Sequence, residues 1–296
     1  MNANALEPGT RHAHLAPRPA AVFNLVSEIS PSSEFGLEIS GEFENLAGEK
    51  EQIAIDFEKE TKNWTEFYKQ HKIDLPADFS EQVVDVLERN HVEMEQSIEA
   101  MGYDKAIIVP PGLDAKKLHQ KMTKGYKEKT HEYDSFKNAG GFEAIVTPDS
   151  DKTRIILVHE KDAQNNTQHP ILKELRGKSV EGLAGLAGIS AERVQELLDA
   201  NEEIPMQIEI KGRTFNFKGL DVLVYLIWQK DYCERSGGKH LDEDGWSSLV
   251  GSSIGKLAGG RRVPELHWND VRLIASAHEP GHRSVHLAPR PAAVFV

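Results

Sequence analysis

The chain has one cysteine, Cys233, among 296 residues. A single thiol excludes an internal disulfide and any cysteine-built metal site, and it suits a reducing compartment. Positive charge is also in short supply. Lys and Arg number 35 against 47 Asp and Glu, for a net charge of -12. A protein that held a phosphate backbone would need clustered cations, so nucleic acid is not an expected partner. No apolar run approaches the roughly 20 residues that span a bilayer. The first 23 residues contain no continuous apolar core of the secretory type. No membrane partner and a cytoplasmic location are therefore expected.

What is present suffices for a sizeable core: 39% of residues are hydrophobic and 28% charged. Residues 24–50 mix Pro, Ser, Gly and Glu between short apolar pairs and predict a linker or unstructured chain. Helical periodicity is expected over Ile53–Lys72 and Ser80–Ala100, the second carrying Val83, Val84, Leu87, His91, Met94 and Ile98 at three- and four-residue steps. Ser80 is placed as its N-cap and Gly102 as its stop. DKAIIVPPG (104–112) and TRIILVHE (153–160) read as strands, and MQIEIKGRTFNF (206–217) as a hairpin turning at Lys211-Gly212. Ala115–Tyr133 predicts a Lys-rich helix with a solvated face, and Gly219–Tyr232 a mostly buried one. The expected class is α+β. Residues 1–50 form a tail, 51–135 a helical region and 136–296 an α+β domain. Its last part, 237–296, is Gly- and Ser-rich and is expected to be loop-built around Trp246 and Trp268. Each Trp buries on the order of 200 Å².

The strongest signal is a phrase written twice. Residues 2–23 and 274–295 align without gaps, and 16 of the 22 pairs are identical. The six that differ are Asn2/Ile274, Asn4/Ser276, Leu6/His278, Thr10/His282, His12/Ser284 and Ala13/Val285, while LAPRPAAVF is unchanged. Drift favours similar residues, and these pairs differ in size, polarity and charge capacity. They share a codon logic instead. Replacing the two adenines of an Asn codon AAC yields His, Ser, Ile, Leu, Thr, Ala and Val, so all six pairs are reachable. The unchanged residues can mostly be written without adenine in the first two codon places, Glu7/Glu279 being the exception. His14/His286 fits a mutated Asn in both copies.

On those residues the chain resembles the variable protein of a diversity-generating retroelement, whose 3′ end is overwritten by an adenine-mutated copy of a template. Gly259-Gly260-Arg261, Trp268, Glu279-Pro280, Arg283 and Arg290-Pro291 follow the order of that family's closing pattern over roughly the last 60 residues. Ala288-Pro289 and Glu279 depart from it. The resemblance implies a loop-rich C-type-lectin-like domain of the formylglycine-generating-enzyme type with short strands. It also implies a binding role without catalysis, because the enzymes of that type need two cysteines and this chain has one. The ligand would be a protein or glycan. The contact face would be Ile274, Ser276, His278 and His282, with Ser284, Val285 and His286. Trp246, Trp268, Leu287 and Phe295 would be core anchors, and Arg283 and Arg290 brackets hydrogen-bonded to loop carbonyls.

No cofactor and no metal are expected. His278, His282 and His286 have i, i+4, i+8 spacing, but Pro280 and Gly281 break the helix that would stack them. Asp242 and Asp244 in LDEDGW lack the later ligands of a calcium loop. His91-Val92-Glu93 lacks the Pro-Cys-x-x-Cys of zinc deaminases. Cys233 reads as a packed thiol. The first copy is expected to be a remnant of an upstream variable gene, or else a terminal strand pairing with the second. The alternative function is an enzyme or regulatory protein with its centre in residues 51–235 and a passive terminal duplication.

Overall fold

A computed structural model describes residues 38–44, 50–161, 170–243, 245–257, 260–269 and 271–296. The first copy of the repeated phrase lies outside them, as does most of the expected tail. Residues 38–44 do not fit a linker. They form β1 (Glu38–Glu44), which pairs antiparallel with β2 (Lys50–Asp56). The helix expected from Ile53 begins later, because Asp56 is its N-cap and accepts from Lys59 N at 2.9 Å.

This helix, α1 (Phe57–Gln70), buries Trp64, Phe67 and Tyr68, an i, i+3, i+4 set on one face. Each such side chain contributes roughly 1.5–3 kcal/mol on burial. α2 (Phe79–Met101) buries Val83, Leu87, Met94 and Ile98 as expected, with Val86 in place of Val84, and His91 is exposed. Asp78, not Ser80, stands at its N-cap position, without a side-chain capping bond. It ends at Gly102, whose φ of 73° is left-handed and whose N–H returns to Ile98 O. β3 (Lys105–Val109) follows, buried at every residue. Trp64 Nε1 donates to Ala106 O at 2.8 Å and Tyr68 OH to Ile108 O at 2.7 Å, which docks α1 on β3.

The Lys-rich helix is shorter than expected. α3 (Ala115–Met122) stops before Gly125, whose φ of 93° interrupts the helix, and the chain re-extends as β4 (His131–Glu132). Next come α4 (Asp134–Asn138), a 3-10 turn at Gly141–Ala144, β5 (Ile145–Val146) and β6 (Arg154–Val158). Three short helices, α5 (Pro170–Leu175), α6 (Val180–Leu186) and α7 (Ala191–Ala200), precede the expected hairpin. β7 (Met206–Ile210) and β8 (Arg213–Gly219) turn at Lys211 and Gly212, both at positive φ. α8 (Val222–Arg235) is capped by Asp221, whose other oxygen takes Arg154 Nη1 at 2.6 Å.

Beyond Gly237 the expected loop-built region is largely strand. It holds β9 (Trp246–Ser248), β10 (Ser253–Leu257), β11 (Gly260–Asn269), β12 (Arg272–His278), β13 (Leu287–Pro289) and β14 (Pro291–Phe295). β11 and β12 form a continuous antiparallel ladder from Val263↔His278 to Asn269↔Arg272.

The protein is α+β. One sheet runs β3-β6-β14-β8-β7, and a seven-stranded sheet joins β4, β5 and β9 to β13. β14 pairs with β6 on one side and β8 on the other. The chain end therefore shares a sheet with β3, and Gly36–Val296 forms one unit. The boundary expected near residue 135 does not separate two bodies. No helix among the described residues is long and apolar enough to cross a membrane.

Candidate functional site

Side chains alternate across a strand, so the ladder register fixes which residues share a face. Glu265 lies opposite Ser276 on β12 and Ser248 on β9, and Val263 and His267 lie opposite His278 and Ile274. Glu265, Ser276 and His278 thus share one face of the seven-stranded sheet. On the other face, Leu266, Trp268, Leu273, Ala275 and Ala277 are buried in the core. β4 pairs parallel with β12, His131 opposite Ile274, and brings Tyr133 and Ser135 to the same region.

These elements floor and wall a cavity of about 640 Å³. Ser276, His278, His282 and Ser284 line it, together with Trp246, Glu265 and the His131–Ser135 segment. Trp246 is half-buried and stacks on His267 at 3.9 Å, so it is a wall as well as an anchor. Tyr133, 45% exposed, stands 6.1 Å from the Trp246 ring.

The far wall is the 279–286 loop, and its unchanged residues brace it. Pro280 O accepts from Glu181 N at 3.2 Å, Arg283 Nε reaches Ser179 Oγ at 3.4 Å, and Glu279 meets Arg262 at 3.2 Å. A Cβ on Gly281 would lie 2.8 Å from Glu181 Oε2, so a side chain there would displace the Glu181 carboxylate. Leu287 O accepts from Gly177 N at 2.9 Å. The differing residues point elsewhere. His282 and Ser284 face the cavity, and Val285 is 75% exposed.

The expected residues therefore divide. Ser276, His278, His282 and Ser284 come together, while Val285 and His286 lie exposed outside the cavity lining. Ile274 is the correction among the expected contact residues. At 6% exposure, beside His131 in the β4–β12 pairing, it is buried instead of presenting a surface. Trp268 is buried and stacks on His240 at 3.7 Å, and Leu287 and Phe295 are buried. Arg290 is a bracket onto a buried anion. Its guanidinium meets the fully buried Asp242 carboxylate and Ser247 Oγ, and lies 5.0 Å from the Trp228 ring centre. Arg283 bonds the Ser179 hydroxyl where a loop carbonyl was expected. Cys233 is only partly buried at the end of α8.

Glu265 had no place in the sequence reading. Burial pushes its carboxyl up to about 8, and burial followed by the neighbouring His282 and Arg262 charges lowers His278. Near neutral pH their 3.1 Å contact is accordingly a hydrogen bond between largely uncharged groups. Ser276 Oγ adds a 2.8 Å bond to the same His278 Nε2, and Ser135 Oγ lies 3.2 Å from Ser276 Oγ. The signal in the sequence was VPELHW: a lone acid on a strand of otherwise apolar and aromatic residues. A buried acid is seldom retained without a partner.

No protein-family model, curated protein or solved structure matches the chain.

Proposed function

We propose that this chain is a non-catalytic binding protein whose cavity-lining residues are diversified by adenine-directed copying, as in variable proteins of diversity-generating retroelements. The observation that carries the reading is spatial. Of the six positions that differ between the two copies, four line one cavity and a fifth is exposed. The unchanged residues between and after them brace the loop on α6 or enter the two sheets. A duplication without a role in binding has no reason to place its differences this way.

On this reading the framework corresponds to a C-type-lectin-like scaffold, the ligand is a protein or glycan and the site of action is the cytoplasm. Function then resides in loop side chains that change without altering the core. Sequencing the locus tests the proposal. The expected result is an Asn-rich copy of the 274–295 phrase beside a reverse-transcriptase gene, with AAY-derived codons at 274, 276, 278, 282, 284 and 285. Codons such as TCA for serine at 276 or 284, with no template nearby, would overturn it.

A further inference from the structure

We propose that Glu265, His278 and His282 bind one divalent transition-metal ion, zinc by preference, at the floor of the cavity. Their ligand atoms all lie within 4.8 Å of one another. Two imidazoles and a carboxylate form a common donor set for such ions, with metal–ligand distances of about 2.0–2.2 Å.

Each donor is placed by a different device. Glu265 is fixed by the β11 ladder, with Ser276 and Ser248 on either side. His278 ends β12 and already reaches Glu265 Oε2 at 3.1 Å. His282 arrives through the turn in which its N–H bonds Glu279 O at 2.9 Å, and its ring stacks on His278 at 4.1 Å. The i, i+4 pair thus meets across a turn and needs no helix. Tetrahedral ligand atoms sit roughly 3.4 Å apart at zinc bond lengths. Coordination therefore requires the exposed His282 ring to leave its stack on His278 and turn a ring nitrogen toward the ion. His286 takes no part.

The origin of the donors gives the site its meaning. The carboxylate belongs to the framework, outside the repeated phrase, whereas both imidazoles occupy differing positions. The first copy carries Leu6 and Thr10 at those places and offers no metal ligand there. A framework acid beneath a variable surface lets the protein acquire a metal whenever two histidines arise above it. Three protein ligands leave a fourth position open toward the cavity, where Lys137 and Tyr133 also lie. That position suits an oxyanion, a carboxylate or phosphate of the bound ligand. This last step rests on the binding reading; the metal site does not.

Calorimetric titration of the full, untagged chain with zinc sulfate is the test, with cobalt absorption as a second readout of coordination geometry. One ion per chain with a Kd of about 10 μM or tighter is expected. His278→Leu and His282→Thr, the first copy's residues, should each weaken binding at least tenfold, whereas His286→Asn should leave it unchanged. Wild-type chain that binds no zinc below about 1 mM overturns the proposal regardless of how any variant folds. So does tight binding that persists in the double His278→Leu/His282→Thr variant. Failure here leaves the binding reading standing, because that reading is decided by the DNA of the locus.

Discussion

The repeated phrase has two halves, and they occupy opposite environments. LAPRPAAVF enters both sheets: Leu287–Pro289 pairs with β9 in the seven-stranded one, and Pro291–Phe295 sits between β6 and β8 in the other. The half from 274 to 286 runs along the cavity, and all six differences fall in it. One stretch of chain thus both closes the fold and carries its variation. The lesson is a division of labour within 22 residues, which predicts that substitutions should be costly from Leu287 onward and cheap at the differing positions before it, with Ile274 as the exception.

The comparison is tested hardest at Arg290. Arg290→Met removes the partner of Asp242, a carboxylate with no solvent exposure, and should cost about 3–5 kcal/mol because it strands a buried charge. At roughly 2–4 °C per kcal/mol for a chain of this size, thermal melting should drop by about 10 °C. A melting point within about 2 °C of wild type would show that the constant half is not the framework it looks to be.

Two smaller substitutions sharpen the border. Ala292 is fully buried in β14, and Ala292→Leu should overpack the five-stranded sheet at about 1–3 kcal/mol. Ile274→Asn, which installs the residue of the first copy, should cost about as much by burying an amide where an apolar side chain packed. Chemical denaturation of the two variants measures this directly. If Ile274→Asn is neutral, the differing half is uniformly permissive and Ile274 belongs with the surface despite its burial.

The sequence disclosed the framework better than the site. β3 and β6 each carry four apolar residues in a row, the β7–β8 hairpin turns on Lys-Gly, and α8 opens on seven apolar residues before its charged end, so each was legible from local pattern. The strands around the cavity were not. β12 reads RLIASAH, small residues buried on both faces with no alternation, and β11 contains Pro264. Their pairing comes from partners far along the chain, which no local period records. The same holds for the trio: Glu265 meets His278 and His282 only through the ladder register. β2 was misread because Ile53 and Ile55 precede an aromatic-rich helix whose true start is set by Asp56.

Acid should weaken the fold through its buried histidines. His119 stacks on Phe142 at 3.9 Å and His240 on the buried anchor Trp268; burial holds both near 4, aided at His240 by the Lys230 charge. Their folded values lie below the ordinary 6.5, so the unfolded chain binds more protons between those limits. The stability they contribute is complete above about pH 6.5, falls as the pH drops toward 4, and changes no further below that. With solvent screening at these partly exposed rings the loss is about 1 kcal/mol apiece. Urea midpoints at pH 7, 5.5 and 4 should show the fall, and His119→Gln or His240→Gln should flatten it. An unchanged slope in both variants would move the acid sensitivity elsewhere.

The smallest expected effect is the most telling. Replacing His282, Ser284 and Val285 together by the first copy's Thr, His and Ala exchanges three side chains that line the cavity or face solvent, and leaves Pro280, Gly281 and Arg283 to brace the loop. Surface changes of this kind stay within about 0.5 kcal/mol each. The triple variant should therefore melt within a few degrees of wild type, with unchanged circular dichroism. If it unfolds, the loop depends on those side chains for its own structure, and its differences could not have been sampled freely. If it holds, the same scaffold carries two unrelated surfaces, as a protein must when its binding residues are rewritten without regard to its fold.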